Sequence, residues 1–124
     1  MAVSYNTGLT GTISGNNTAS AYYAINNQTA DYTLALSDGL STYVRMNKAS
    51  GINLTVPLNA TVAFTIGTQI PVRQVGAGQL TIVAAMGVTI NTPTTLLLLG
   101  QGASAQLIKT ATDTWDLSGS LAAS

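Results

Sequence analysis

The sequence contains no cysteine, no histidine and no glutamate, and only 6% of its residues are charged. Without Cys there is no disulfide staple, no thiolate nucleophile and no Cys-based metal site; without His there is no imidazole ligand and no side chain that ordinarily titrates near neutrality. The four cations, Arg45, Lys48, Arg73 and Lys109, are too few and too scattered to neutralise a run of phosphates, which excludes nucleic acid as a partner. Apolar runs around Leu80–Ile90 and Leu96–Leu99 fall short of the roughly 18 residues a membrane span needs, and the N-terminal MAVSYNTGLTGTISG lacks the basic region and apolar core of a signal peptide. A soluble, unexported chain is therefore expected.

What is present is 46% hydrophobic residues in 124, balanced charge, and polarity carried by Thr, Ser, Asn and Gln. That hydrophobicity, with a net charge of zero, predicts a folded chain rather than a disordered one. A surface so poor in charge favours self-association, so the working form is expected to be an assembly.

Two regions are expected. Residues 1–30 carry no charge and have apolar residues too sparse for a sheet face, so they read as an extended N-terminal arm. Tyr5, Leu9, Ile13, Tyr22, Tyr23 and Ile25 exceed what a spacer needs and are the candidate partner-binding residues, laid along a neighbouring subunit. Residues 31–124 alternate with a period of two: Tyr32, Leu34 and Leu36; Ile52, Leu54 and Val56; Val62, Phe64 and Ile66. Turn signals recur about every 8–12 residues, the spacing of an all-β, antiparallel β-sandwich of jelly-roll type. Outward positions are Thr, Ala, Asn and Ser instead of the Lys and Glu that usually protect strand edges, which predicts edges covered in a homo-oligomer. Leu96, Leu97, Leu98 and Leu99, with Trp115, are the candidate subunit interface.

Chemical motifs reduce to structural ones. Gly76-Ala77-Gly78 reads as a hairpin turn whose glycines supply positive φ, since neither a third fingerprint glycine nor a Gly-Lys-Ser/Thr follows. Asp113 and Asp116 would point to opposite faces of a strand, so they read as a turn residue and a solvated one; Asp38 before Gly39 is likewise a turn former. Lys48 and Lys109 are the conceivable bases for a Ser or Thr nucleophile, but no motif supports one, and a lone Lys on a β surface is usually solvated. The expectation is no enzyme, no cofactor and no metal.

VRMN at 44–47, NLTVPLN at 53–59, AFTIGTQI at 63–70, VGAGQLTI at 75–82, GVTIN at 87–91 and GQGASAQLIKTATDTWDLSG at 100–119, after the YTL opening and its Asp-Gly turn, resemble a β-rich module of tailed-bacteriophage virion proteins. That module occurs in tail-fibre, tail-associated and small head-decoration proteins, and the likeness spans residues 31–122. Leu58, where a second proline or polar turn residue is common, and the unbroken Leu96–Leu99 depart from it. The resemblance implies a capsid decoration (cement) protein, made in the bacterial cytoplasm and placed on the outer capsid surface, with the major capsid protein and its own copies, as a trimer, for partners. Its main rival, which the same resemblance allows, is a tail-fibre or tail-tip component that binds a host receptor. A third expectation, from another class, is a lectin-like sugar-binding module using Trp115 or the tyrosines.

Overall fold

The structure is a computed structural model that describes residues 22–123. In one sheet β1 (Ala24–Gln28), β3 (Thr42–Met46) and β5 (Gln69–Gln74) stack in parallel; in the other β2 (Tyr32–Thr33), β4 (Ile52–Val56) and β6 (Leu80–Ala84) do the same. The chain lays one strand on each sheet and returns one level along the stack, so these residues form a β-solenoid of about three coils and not the expected antiparallel sandwich. The correction has a simple cause. A period of two and a turn every ten residues describe a half-buried strand, whether the next strand pairs with it or crosses to the opposite sheet.

The stack is closed at its far end by an antiparallel hairpin. After β7 (Thr89–Asn91), strand β8 (Ser104–Ala111) pairs antiparallel with β5, β9 (Thr114–Gly119) pairs with β8, and β7 lies outside β9. Register is strict between the second and third coils: Val44 lies over Val72 and Ile52 over Leu80, an offset of 28 residues in both sheets. The inward ladders Val44–Val72, Ile52–Leu80 and Leu54–Ile82 are fully buried and meet between the sheets. Each such side chain contributes about 1.5–3 kcal/mol on leaving water, so the core belongs to neighbouring coils of one chain. Phe64 and Trp115 close it at the hairpin end, edge to face with ring centroids 5.5 Å apart.

Several local expectations change with the architecture. Residues 24–28 of the expected arm are the first strand of the solenoid, and residues 1–21 lie outside the described residues. Gly76 and Gly78 do not make a hairpin, because β5 and β6 belong to different sheets. Their positive-φ role falls to Gly67, Gly87, Gly102 and Gly119. Gly76 and Gly78 are needed for close approach instead: a Cβ on Gly78 would stand 1.7 Å from the Ser50 carbonyl oxygen, and one on Gly76 2.3 Å from that of Lys48. Val62 to Ile66 is a loop that turns Phe64 inward, with Ile66 exposed.

Candidate functional site

Three places concentrate polar or exposed aromatic groups. The first is the open end of the stack. The half-buried positions of β1 are Asn26 and Gln28, over Val44 and Met46, so the first coil has a polar lid where the later coils have aliphatic ladders. Asp38, 2% exposed in a 3-10 turn at Leu36–Gly39, receives Asn26 Nδ2 (2.8 Å), the Tyr32 hydroxyl (2.6 Å) and the Ala35 N–H (2.8 Å). Gln28 Nε2 donates to Asn26 Oδ1 at 2.7 Å and extends the network. Burial, and next the hydrogen bond to Asp38, hold the Tyr32 phenol above its ordinary value of 10.0. Asp38 is thus a buried, three-fold satisfied acceptor and more than a turn former.

The second is the outer face of the β1–β3–β5 sheet. Tyr22 is 79% exposed and Ile25 58%, beside a half-exposed Tyr23. Tyr23 and Tyr43 line a shallow groove of about 530 Å³ with Pro71, Gln106, Ser118 and Gly119. Arg73 Nε donates to the Tyr43 hydroxyl and Arg73 Nη1 to the Gly102 carbonyl (3.0 Å), so the neighbouring guanidinium is already engaged. Such a face offers ring surface, amides and hydroxyls to a neutral partner.

The third lies inside the closing hairpin. Lys109 is 2% exposed, opposite Trp115, and donates from Nζ to Asn59 Oδ1 (2.6 Å) and to the Phe64 carbonyl (2.8 Å). Asp113 Oδ1 accepts the Asn59 N–H at 2.8 Å, which draws the turn between β8 and β9 onto the same loop. Lys109 is therefore a core residue, where a solvated one was expected. The strand parity of Ala105, Leu107 and Lys109 against Trp115 and Leu117 already placed it on the core face, a signal that the isolated residue type obscured.

The residues expected to meet partners divide. Tyr22, Tyr23 and Ile25 lie together at the exposed first rung, whereas Tyr5, Leu9 and Ile13 fall outside the described residues. Leu98 and Trp115 are buried within the chain's own core; Leu96 and Leu97 are half-buried, with Leu97 bridging Thr81, and only Leu99 of the five, 66% exposed, faces outward. They do not form one surface. Asp116 is exposed, as expected, and accepts Asn91 Nδ2 at 3.1 Å. Among the described residues no three His, Cys, Asp or Glu side chains group as a metal site, and no helix is long and apolar enough to cross a membrane. Comparison with protein-family models, with curated proteins and with solved structures returned no match to this chain.

Proposed function

We propose that this chain is a structural phage virion protein, a head-decoration component that binds the outer capsid surface as a homo-oligomer, in the trimeric form the resemblance implies. The observation that carries the reading is the first rung: Ile25 is exposed on β1, a strand that ends its sheet, and Tyr22 and Tyr23 are exposed in the two residues that lead into it. The outer edge of β1 carries main-chain donors and acceptors with no neighbouring strand among the described residues, and its sequence AINNQ has neither charge nor proline to discourage pairing. An edge of that kind, flanked by tyrosines, suits a large neutral contact with a capsid subunit or another copy. Many such contacts on one shell add through multivalency, and neutral ones lose little at high ionic strength.

The tyrosine-lined groove favours a second reading, a tail-fibre or tail-tip component whose neutral aromatic surface meets a host receptor. Copy number separates the two. Purified particles of the phage encoding this chain, quantified by stained gel and by particle reconstruction, are expected to hold it in hundreds of copies on the head. A few copies at the tail would favour the fibre reading, and absence from the particles would overturn both.

A further inference from the structure

We propose that Lys109 and Asn59 join in an intramolecular isopeptide bond, a modification that stands independently of the virion role. Lys109 Nζ and Asn59 Oδ1 are 2.6 Å apart, and the second acceptor on Nζ, the Phe64 carbonyl, is also neutral. Holding a charged amine at 2% exposure on two neutral oxygens is costly, and only two of its three donors are engaged by these bonds. The carboxamide carbon lies one bond beyond Oδ1, which sets Asn59 Cγ about 3–3.5 Å from Nζ, the separation of a near-attack pair.

The main chain fixes both reactants. Lys109 N donates to the Thr68 carbonyl at 3.0 Å and its own carbonyl accepts from Gly67 N at 2.7 Å, while Asn59 N is held by Asp113 at 2.8 Å. These bonds fix the two stretches of backbone that carry the reactants, so the reaction gains the advantage of a pre-oriented intramolecular pair. Trp115, opposite Lys109 in the hairpin and edge to face with Phe64, keeps the amine end of the pair within the core, with Asn59 half-buried beside it.

In the step itself, the Lys109 ammonium gives up one proton to solvent, its nitrogen attacks Asn59 Cγ, a new C–N bond forms and the Cγ–Nδ2 bond breaks. The proton shed by the attacking nitrogen passes to the departing one, which leaves as ammonia. One primary amine and one primary carboxamide become one secondary amide and ammonia, with no oxidant or cofactor. The bond joins residues 50 apart in sequence and ties the loop after β4 to the closing hairpin.

Mass spectrometry of the full chain tests this. After native folding and then denaturation, the wild type is expected about 17 Da below its sequence mass, the loss of one ammonia. A protease digest is expected to yield a branched peptide joining residues 59 and 109. Asn59→Ala and Lys109→Arg should each return to sequence mass, and Asn59→Asp should lose about 18 Da, one water, if it closes the same bond. A wild type at its full sequence mass overturns the proposal without recourse to any variant; so does a 17 Da loss that maps to a succinimide at another asparagine.

Discussion

Gly78→Ala separates stacked coils from a hairpin turn by the sign of its effect. Gly78 is not among the positive-φ glycines, so in a free turn alanine would be tolerated, or would stabilise by about 0.4–1 kcal/mol through the unfolded chain. In the solenoid the added Cβ lands 1.7 Å from the Ser50 oxygen and 2.1 Å from its carbonyl carbon, both backbone atoms that no rotamer change can move. Restoring ordinary contact requires the two coil corners to part by well over an ångström, which breaks the 2.9 Å Gly78 N–H to Lys48 carbonyl bond. An overpacking cost of about 1–3 kcal/mol and a similar cost for the lost buried bond give about 2–6 kcal/mol. That is a large fraction of the about 5–15 kcal/mol that holds a domain of this size. Urea unfolding followed by Trp115 fluorescence should show the midpoint falling by at least about 1 M. Gly51→Ala is the control, because its nearest Cβ neighbour is Gln79 O at 4.0 Å. Equal midpoints for Gly78→Ala and wild type would refute the stacked-corner account.

The Tyr32 phenol donates to Asp38 only while protonated, and its raised pKa means the folded state favours that form. Its stabilisation is present in full below about pH 10 and is lost as pH rises through the folded value; Tyr32→Phe should be less stable at neutral pH and show a flatter alkaline decline in urea midpoints. Thr55 lies directly over Val83, so Thr55→Lys with Val83→Lys should cost about 0.5–1 kcal/mol beyond the sum of the single changes and recover with salt. The pair Thr55→Lys with Val83→Glu should show no such penalty in the same double-mutant cycle.

Strand content was largely legible in the sequence, because inward parity at Val44/Met46, Ile52/Leu54/Val56 and Leu80/Ile82 is carried by side chains that must leave water. Strand partners were not, since parity is the same in either topology. The signal that does distinguish them lies in the letters: VRMNKASGINLTV at 44–56 aligns with VRQVGAGQLTIVA at 72–84, with Val, Arg and Ala matched at the 28-residue offset of the coils. A fixed internal period is the mark of stacking, and one matched pair of coils was faint enough to pass for two ordinary hairpins. Of the sites, Tyr22, Tyr23 and Ile25 stood out in the sequence as residues of an extended arm, whereas Ile25 belongs to the first strand of the solenoid. The Leu96–Leu99 run did not divide by hydrophobicity alone, because one leucine fills the core while the next faces water. Asp38 and Lys109 were hidden by residue type: Asp-Gly reads as a turn and Lys as solvent-facing, and only their three-dimensional neighbours reveal the hydrogen bonds that keep them inside.

The shortage of charge has a cause within one chain. Parallel stacking in register sets each outward side chain directly over its counterpart one coil away, about 4.8 Å along the stack. Two like charges at that distance repel by about 0.9 kcal/mol even in bulk water. Neutral ladders such as Asn53 over Thr81 and Thr55 over Val83 avoid the penalty. Where the chain does stack two cations, Arg45 over Arg73, each is drawn to its own neutral acceptor: Arg45 to Asn27 Oδ1 at 3.0 Å, Arg73 to the Tyr43 hydroxyl and the Gly102 carbonyl. The two buried charges, Asp38 and Lys109, have separate sets of hydrogen-bond partners and are satisfied without each other. A neutral surface is thus what stacking itself selects, and it does not by itself require a covering partner. The case for assembly narrows to the first rung, where an edge strand without charge or proline carries Ile25 into solvent, Tyr22 and Tyr23 stand exposed just before it, and the solenoid's own repetition no longer accounts for them.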